Sequence, residues 1–295
     1  MKTKSMLLCV LLAALAGCSS PPETPTPTPL PTETAIPTPT EVPVPPFEEL
    51  ARFFDYDIEA DLEFRWGLAV EDLSAKVTRV SYIGAPGCSI LGYLVQPEGE
   101  GPFPAVVFLH MGQGNKDQYL DEAVLLAGHG VVSLLFDSPF LRGCAPDPRS
   151  GYINTVIDVR RSIDMLETLD FVDPDRIGYV GHSFGATWGG VLAGVEPRIK
   201  AMVLIAGTSR ISQLDSPDCP DLDAVHYIGH TEAALLFQFS TNDPYITEED
   251  ATLYFETAPE PKTILWYDTT HRGLQDDGQE DRLTWLADQL GFPYP

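Results

Sequence analysis

The 295-residue chain carries 18 Lys and Arg against 43 Asp and Glu, a formal net charge of −25, with 44% hydrophobic and 21% charged residues. So acidic a balance argues against nucleic acid, which is bound through Lys and Arg that displace condensed counterions. The hydrophobic share excludes an intrinsically disordered chain. The only long apolar run, Met6 to Leu15, is shorter than the roughly 20 residues a membrane-spanning helix needs, which excludes a multi-pass membrane protein.

That run follows Lys2 and Lys4 and precedes the small residues Ala16 and Gly17, the three-part layout of a secretory signal. Leu15-Ala16-Gly17-Cys18 resembles the lipobox of bacterial lipoproteins. The resemblance implies a signal peptide over residues 1–17, cleavage before Cys18 and acylation of Cys18, which is the membrane contact expected of the chain. The expected address is the cell envelope, on the extracytoplasmic side of a bacterial membrane; the alternative is a plain secretory signal with an incidental Cys. Residues 18–46 hold eleven Pro between Pro21 and Pro46, interleaved with Thr. Such a segment has little to bury and favours extended polyproline II, so it reads as a semi-rigid stalk.

From residue 47 to 295 one α/β domain is expected. Phe47 to Phe54 reads as a short helix. Val77 to Ile83 and Ile90 to Val95, separated by Gly84, Pro86 and Gly87, read as an antiparallel pair at one edge. Continuous apolar runs follow at Ala105 to Leu109, Val131 to Phe136, Ile177 to Val180, Ala201 to Ile205, Ala234 to Phe239 and Thr263 to Trp266. Hydrophobicity that is continuous rather than alternating marks strands covered on both faces, as in a mostly parallel sheet between helix layers. Val156, Val159, Ile163, Leu166 and Leu169 recur at helical spacing. Weaker helical patterns lie at Asp117 to Ala127, Glu248 to Glu256 and Asp281 to Leu290. The stretch from Ile205 to Ala234 is too short for a large lid, so a fairly open site is expected.

The run ending at Val180 leads directly into Gly181-His182-Ser183-Phe184-Gly185 and then a small-residue helix from Ala186 to Val195. A G-x-S-x-G in a strand–turn–helix context holds its Ser hydroxyl exposed at the carboxyl end of the strand. A Ser hydroxyl needs a base and an orienting carboxylate to become a nucleophile. His271, in the loop after the last strand, is the expected base, and Asp243, in the loop after the preceding one, the expected acid. The chain order Ser183, Asp243, His271 matches that of an α/β-hydrolase. The oxyanion donors are expected to be the N–H of Phe184 and one from the loop His110 to Lys116, either Gly112 or Met111, with Gly112 favoured.

Residues 75–291 resemble the α/β-hydrolase superfamily, in particular its dienelactone-hydrolase-like and acetyl-xylan-esterase-like branch. The resemblance is carried by Pro102-Phe103-Pro104-Ala105-Val106-Val107, Val172-Asp173-Pro174-Asp175-Arg176-Ile177 and Arg198-Ile199-Lys200-Ala201 together with the Ser183 motif. Two departures stand out: Met111 replaces the Gly usual in the His-Gly-x-Gly loop, and Ser183 stands where dienelactone hydrolases proper have Cys. The resemblance implies a cofactor-independent serine hydrolase acting on a small-molecule or polymer-linked carboxylic ester through an acyl-enzyme. A peptidase or thioesterase on the same triad, or a surface binding protein without turnover, are the alternatives.

Other residues carry blander expectations. His226 and His230, four apart on an expected helix, lack further ligands for a metal. His110 is expected to anchor the oxyanion loop, His182 to support the elbow, and His129 to lie in a surface turn. Asp137 is expected to be structural, and Asp268 to sit too close in sequence to reach the His271 ring. Arg142 and Arg272 are candidates either to border the pocket or to form surface ion pairs. Of Cys88, Cys144 and Cys219, one disulfide is expected in an oxidising compartment, preferentially Cys144 with Cys219, since both lie in Pro-containing loops after strands.

Overall fold

The computed structural model of the chain describes residues 44–71, 73–214 and 216–295. The expected signal peptide, Cys18 and nearly all of the Pro/Thr-rich stalk lie outside them. Helix α1 (Phe47–Ala51) runs into a 3₁₀ turn at Arg52–Phe54 and buries Leu50 and Phe54. Three antiparallel strands follow, β1 (Arg65–Ala69), β2 (Lys76–Ile83) and β3 (Ser89–Gln96). The remaining elements alternate: β4 (Phe103–Leu109), α2 (Leu120–Ala127), β5 (Val132–Phe136), α3 (Pro148–Glu167), β6 (Val172–His182), α4 (Phe184–Val195) and β7 (Ile199–Ile205). After short 3₁₀ turns come β8 (Ala234–Ser240), α5 (Glu248–Thr257), β9 (Lys262–Tyr267), α6 (Leu274–Asp277) and α7 (Gln279–Leu290).

The nine strands form one sheet in the order β1-β2-β3-β5-β4-β6-β7-β8-β9, parallel from β5 to β9. Adjacent strand residues point to opposite faces, and β6 shows which helices cover each. A Cβ on Gly178 would meet Leu290 of α7, whereas Tyr179 faces Gly189 of α4. The helices therefore form layers on both sides, and the strands from β4 to β8 are buried almost throughout. The fold is of the α/β class expected, with no large lid among the described residues.

Local chemistry sets the helix starts. The Asp147 carboxylate accepts the Ser150 N–H at 2.9 Å, with Pro148 opening α3, and the Thr247 hydroxyl accepts the Asp250 N–H at 3.1 Å to open α5. Strand β1 was not expected: all five residues are exposed, so it carries no buried-face periodicity and is held by pairing with β2 alone.

Three expectations need correcting. The disulfide joins Cys88 to Cys144, with their Cα atoms 6.2 Å apart, and Cys219 is free and buried. The cause is topological: β3 pairs antiparallel with β5, so the turn before β3 lies beside the loop after β5. His226 and His230 occupy two separate 3₁₀ turns rather than one helix, because each N–H bonds three residues back, to Asp223 and Tyr227. The His230 ring stacks on Phe47 at 3.7 Å, and no metal-binding cluster occurs among the described residues. Arg142 is not among the residues lining the Ser183 cleft, nor does it form a surface pair. It makes a buried ion pair with Asp158 and donates to the Asp137 and Ser89 carbonyls.

Candidate active site

Strand β6 ends at the sheet's carboxyl edge in the turn Gly181 to Gly185, and the geometry there explains both glycines. A Cβ on Gly181 would lie 2.5 Å from the Gly185 carbonyl, and one on Gly185 would lie 2.3 Å from the Leu109 oxygen. Between them Ser183 has φ 52° and ψ −105°, a conformation that costs a side-chain-bearing residue on the order of 1–3 kcal/mol and persists only when its surroundings impose it. Its N–H donates to the Ile205 carbonyl at 2.7 Å, and the Tyr179 hydroxyl donates to Gly185 O at 2.7 Å. Ser183 thus faces a cleft of about 390 Å³ together with His271, Phe184, Trp188, Ile211 and Leu214.

The loops after β8 and β9 meet beside this turn. His271 Nδ1 lies 2.7 Å from Asp243 Oδ2, and the His271 side chain is 8% exposed against 2% for Asp243. Burial by itself would raise the Asp243 carboxyl. The bond from His271 and those from the Tyr245 and Ile246 N–H groups, at 2.8 and 3.1 Å, outweigh it and hold the group below the usual carboxylate value. With Asp243 ionised, Nδ1 carries the proton, so Nε2 is free to accept one. Ser183 and His271 line one cleft, and Asp243 is bonded to His271 behind it. Asp268 instead accepts the Asn242 amide at 2.8 Å, and Asp137 binds the Lys116 N–H and ammonium at 2.8 and 2.7 Å.

Across the cleft stands the loop after β4. The Met111 N–H already donates to Gln118 Oε1 at 2.9 Å. Gly112 lies against Phe184, whose Cβ is 3.8 Å from where a Cβ on Gly112 would sit. Gly112 and Phe184 both line the cleft, and Phe184 opens α4, so its N–H has no acceptor within the helix. His110 Nδ1 pairs with the Met111 carbonyl at 2.6 Å while Nε2 accepts the Ser138 N–H at 3.0 Å. Burial pushes its pKa down, which keeps it neutral and able to hold both ends of that contact. His182 is fully buried; burial, then the nearby His271, lowers its pKa to about 3.

Several site residues carry no sequence signal. Gln118, seven residues beyond Met111, reaches back to it from a 3₁₀ turn. Arg272, by contrast, was a candidate to border the pocket and does so, donating to Gln113 Oε1 at 2.6 Å, a contact across 159 residues. Trp188 and Tyr245 belong to no sequence motif, and only the folded chain puts them on the cleft wall. His129, expected at a surface turn, pairs with the Pro293 carbonyl at 3.0 Å and packs beside Tyr294.

A doubly covered, mostly parallel sheet with a nucleophile-type turn after its central strand is the α/β-hydrolase fold. Residues 104–229 match the family model described as alpha/beta hydrolase fold. The chain is 25% identical over 178 residues to 2,6-dihydropseudooxynicotine hydrolase of Paenarthrobacter nicotinovorans, covering 59% of this chain and 43% of that protein. It is 23% identical over 257 residues to Esterase FrsA of Escherichia fergusonii, covering 75% and 61%. The matches thus span less than two thirds of these relatives. Among solved structures it superposes on acetyl xylan esterase 1 of a Thermoanaerobacterium species with a TM-score of 0.69, at 17% identity over 82% of this chain and 93% of that one. The acetyl xylan esterase of Paenibacillus sp. R4 gives the same TM-score at 20% identity, over 83% and 93%.

Proposed function

We propose that this protein is a serine hydrolase that cleaves carboxylic esters through an acyl-enzyme, with Ser183 as nucleophile, His271 as base and Asp243 as its orienting acid. The observation that carries the reading is that His271, bonded to Asp243 at 2.7 Å, lines the same cleft as a Ser held at φ 52°. His271 Nε2 takes the Ser183 proton as Oγ attacks the ester carbonyl. The charge that develops on the carbonyl oxygen meets the Phe184 and Gly112 N–H groups, fixed dipoles that need no reorganisation as the reaction proceeds. His271 then returns the proton to the leaving alcohol, and water repeats the sequence on the acyl-enzyme. The esterases among the relatives support ester chemistry; no residue of this scheme calls for a cofactor.

The lipobox-like Leu15-Ala16-Gly17-Cys18 supports a lipid anchor at Cys18 and an extracytoplasmic position, with residues 18–46 as a spacer carrying the catalytic domain of residues 47–295 away from the membrane. The anchoring arm is tested by fatty-acid labelling of wild type and Cys18→Ser in a bacterial host. Label on the wild type alone supports it, and equal label on both removes it. The catalytic arm is tested by steady-state hydrolysis of esters of graded acyl length, with thioester and peptide analogues beside them. Turnover that prefers esters and disappears in Ser183→Ala supports the reading. Turnover confined to the peptide or the thioester would transfer the same triad to another substrate.

A further inference from the structure

His182 and Gln118 join the two halves of the site through hydrogen bonds, buried at the His271 end and part-buried at the Gln118 end, whose directions are forced. The Met111 N–H donates to Gln118 at 2.9 Å, so the Gln118 atom there is the oxygen, and its amide nitrogen turns to His182 Nδ1 at 3.1 Å. Nδ1 must accept from that nitrogen, which puts the ring proton on Nε2. The Nε2–H faces the His271 carbonyl at 2.9 Å, and a carbonyl can only accept. One proton arrangement therefore satisfies every member. A second proton on Nδ1 would oppose the Gln118 amide, and burial disfavours that cation.

We infer that His182 and Gln118 form a positioning unit that fixes the His271 loop against the oxyanion loop for the reaction proposed above. His182 is adjacent to Ser183 in sequence, so the unit references both loops to the nucleophile. At one end it occupies the Met111 N–H, so that of the two candidate donors in this loop the free one is Gly112, which lines the cleft. At the other it holds the main chain of the base itself. Gln118 is in turn tied to the segment after His271, because its own carbonyl accepts the Gln275 side chain at 2.6 Å. Neither side chain touches substrate; both act through the groups that do.

The inference rests on the Ser183–His271 reading, and the experiment separates the two. His182→Leu, Gln118→Met, their double variant and His182→Gln are compared with wild type for kcat and KM on a neutral soluble ester. The rate of labelling by a fluorophosphonate and the downfield proton resonance of His271 Nδ1–H are followed in parallel. His182→Leu and Gln118→Met are expected to lose about 10- to 100-fold in kcat, the size of effect that displacing a reacting group by about 1 Å produces. KM should change by less than about threefold, and the double variant should lose little more than either single one, because the residues act as a unit. Labelling should slow in step and the His271 resonance should shift. His182→Gln places an amide N–H near the Nε2 position and should recover most of the activity. A folded His182→Leu with kcat and His271 resonance like those of wild type overturns the inference, and if it does not fold, the same result for Gln118→Met does so. Wild type that neither labels nor turns over would instead sink the parent reading, and this one with it.

Discussion

Ser183 holds a backbone conformation that glycine adopts far more readily, and that strain makes a prediction separate from activity. Ser183→Gly should abolish turnover yet raise stability by about 1 kcal/mol, offset in part by the greater entropy of glycine in the unfolded chain. Thermal unfolding checks it; a lower Tm would mean that the hydroxyl's contacts outweigh the strain. The two acids give a sharper contrast. Asp243→Asn keeps the shape but favours the wrong His271 tautomer, and about 10² to 10⁴ in kcat should be lost with little change in KM. Asp137, bound to Lys116, should cost less than about tenfold as Asn. A near-active Asp243→Asn beside an inactive Asp137→Asn would move the acid role. At this scale the triad candidates were legible because turn chemistry, strand ends and chain order converge on them. Gln118 was not, since a Gln in a polar turn has no pattern until folding sets it beside Met111 and His182.

The element scale is where reading the sequence and seeing the fold diverge most. Strands β4 to β8 announce themselves because burial on both faces demands unbroken apolar runs, whereas β9, read from its apolar run as a doubly covered strand, lies at the sheet edge with no fully buried residue. β1 does not announce itself, because an edge strand exposed along its length needs only main-chain pairing. The disulfide was misassigned for a related reason: loop composition does not reveal strand order, and it is the β3–β5 pairing that sets Cys88 beside Cys144. The bond closes a span of 56 residues, for which chain-entropy reasoning gives about 4 kcal/mol. Denatured without reductant, a soluble form beginning after Cys18 should show one free thiol, Cys219. Reductant should raise the count to three and lower the Tm; three thiols without reductant would exclude the bond. The loop that carries His271 has further anchors. Arg282 of α7 forms a buried ion pair with Glu122 of α2 and donates to the Leu274 carbonyl. Removing one partner of such a pair leaves a buried charge, so Glu122→Gln should destabilise by about 3–5 kcal/mol as read by denaturant unfolding.

For the whole molecule, charge and pH matter together. His182 is held neutral, with its pKa lowered to about 3, whereas in the unfolded chain it titrates near the ordinary imidazole value. Below about pH 6.5 the unfolded state therefore binds a proton that the folded state refuses. This residue should cost about 1.4 kcal/mol of stability per pH unit between there and its folded pKa. Acid-unfolding curves of a folded His182→Gln should be correspondingly flatter; an unchanged slope would mean that other groups dominate. The stalk makes a different prediction: deletion of residues 19–46 should leave kcat on a soluble ester unchanged, since the cleft is built from residues far beyond it, and a large loss would mean that the segment takes part in the site.

Whether Ser183 is an activated nucleophile can be read from intact mass after exposure to a fluorophosphonate, followed by peptide mapping. One adduct is predicted, on the peptide that contains Ser183. It should be absent in Ser183→Ala and slowed by a factor of at least about 10² in His271→Ala, because an unassisted Ser hydroxyl is a poor nucleophile. An adduct on another residue, or equal labelling of wild type and Ser183→Ala, would contradict that role.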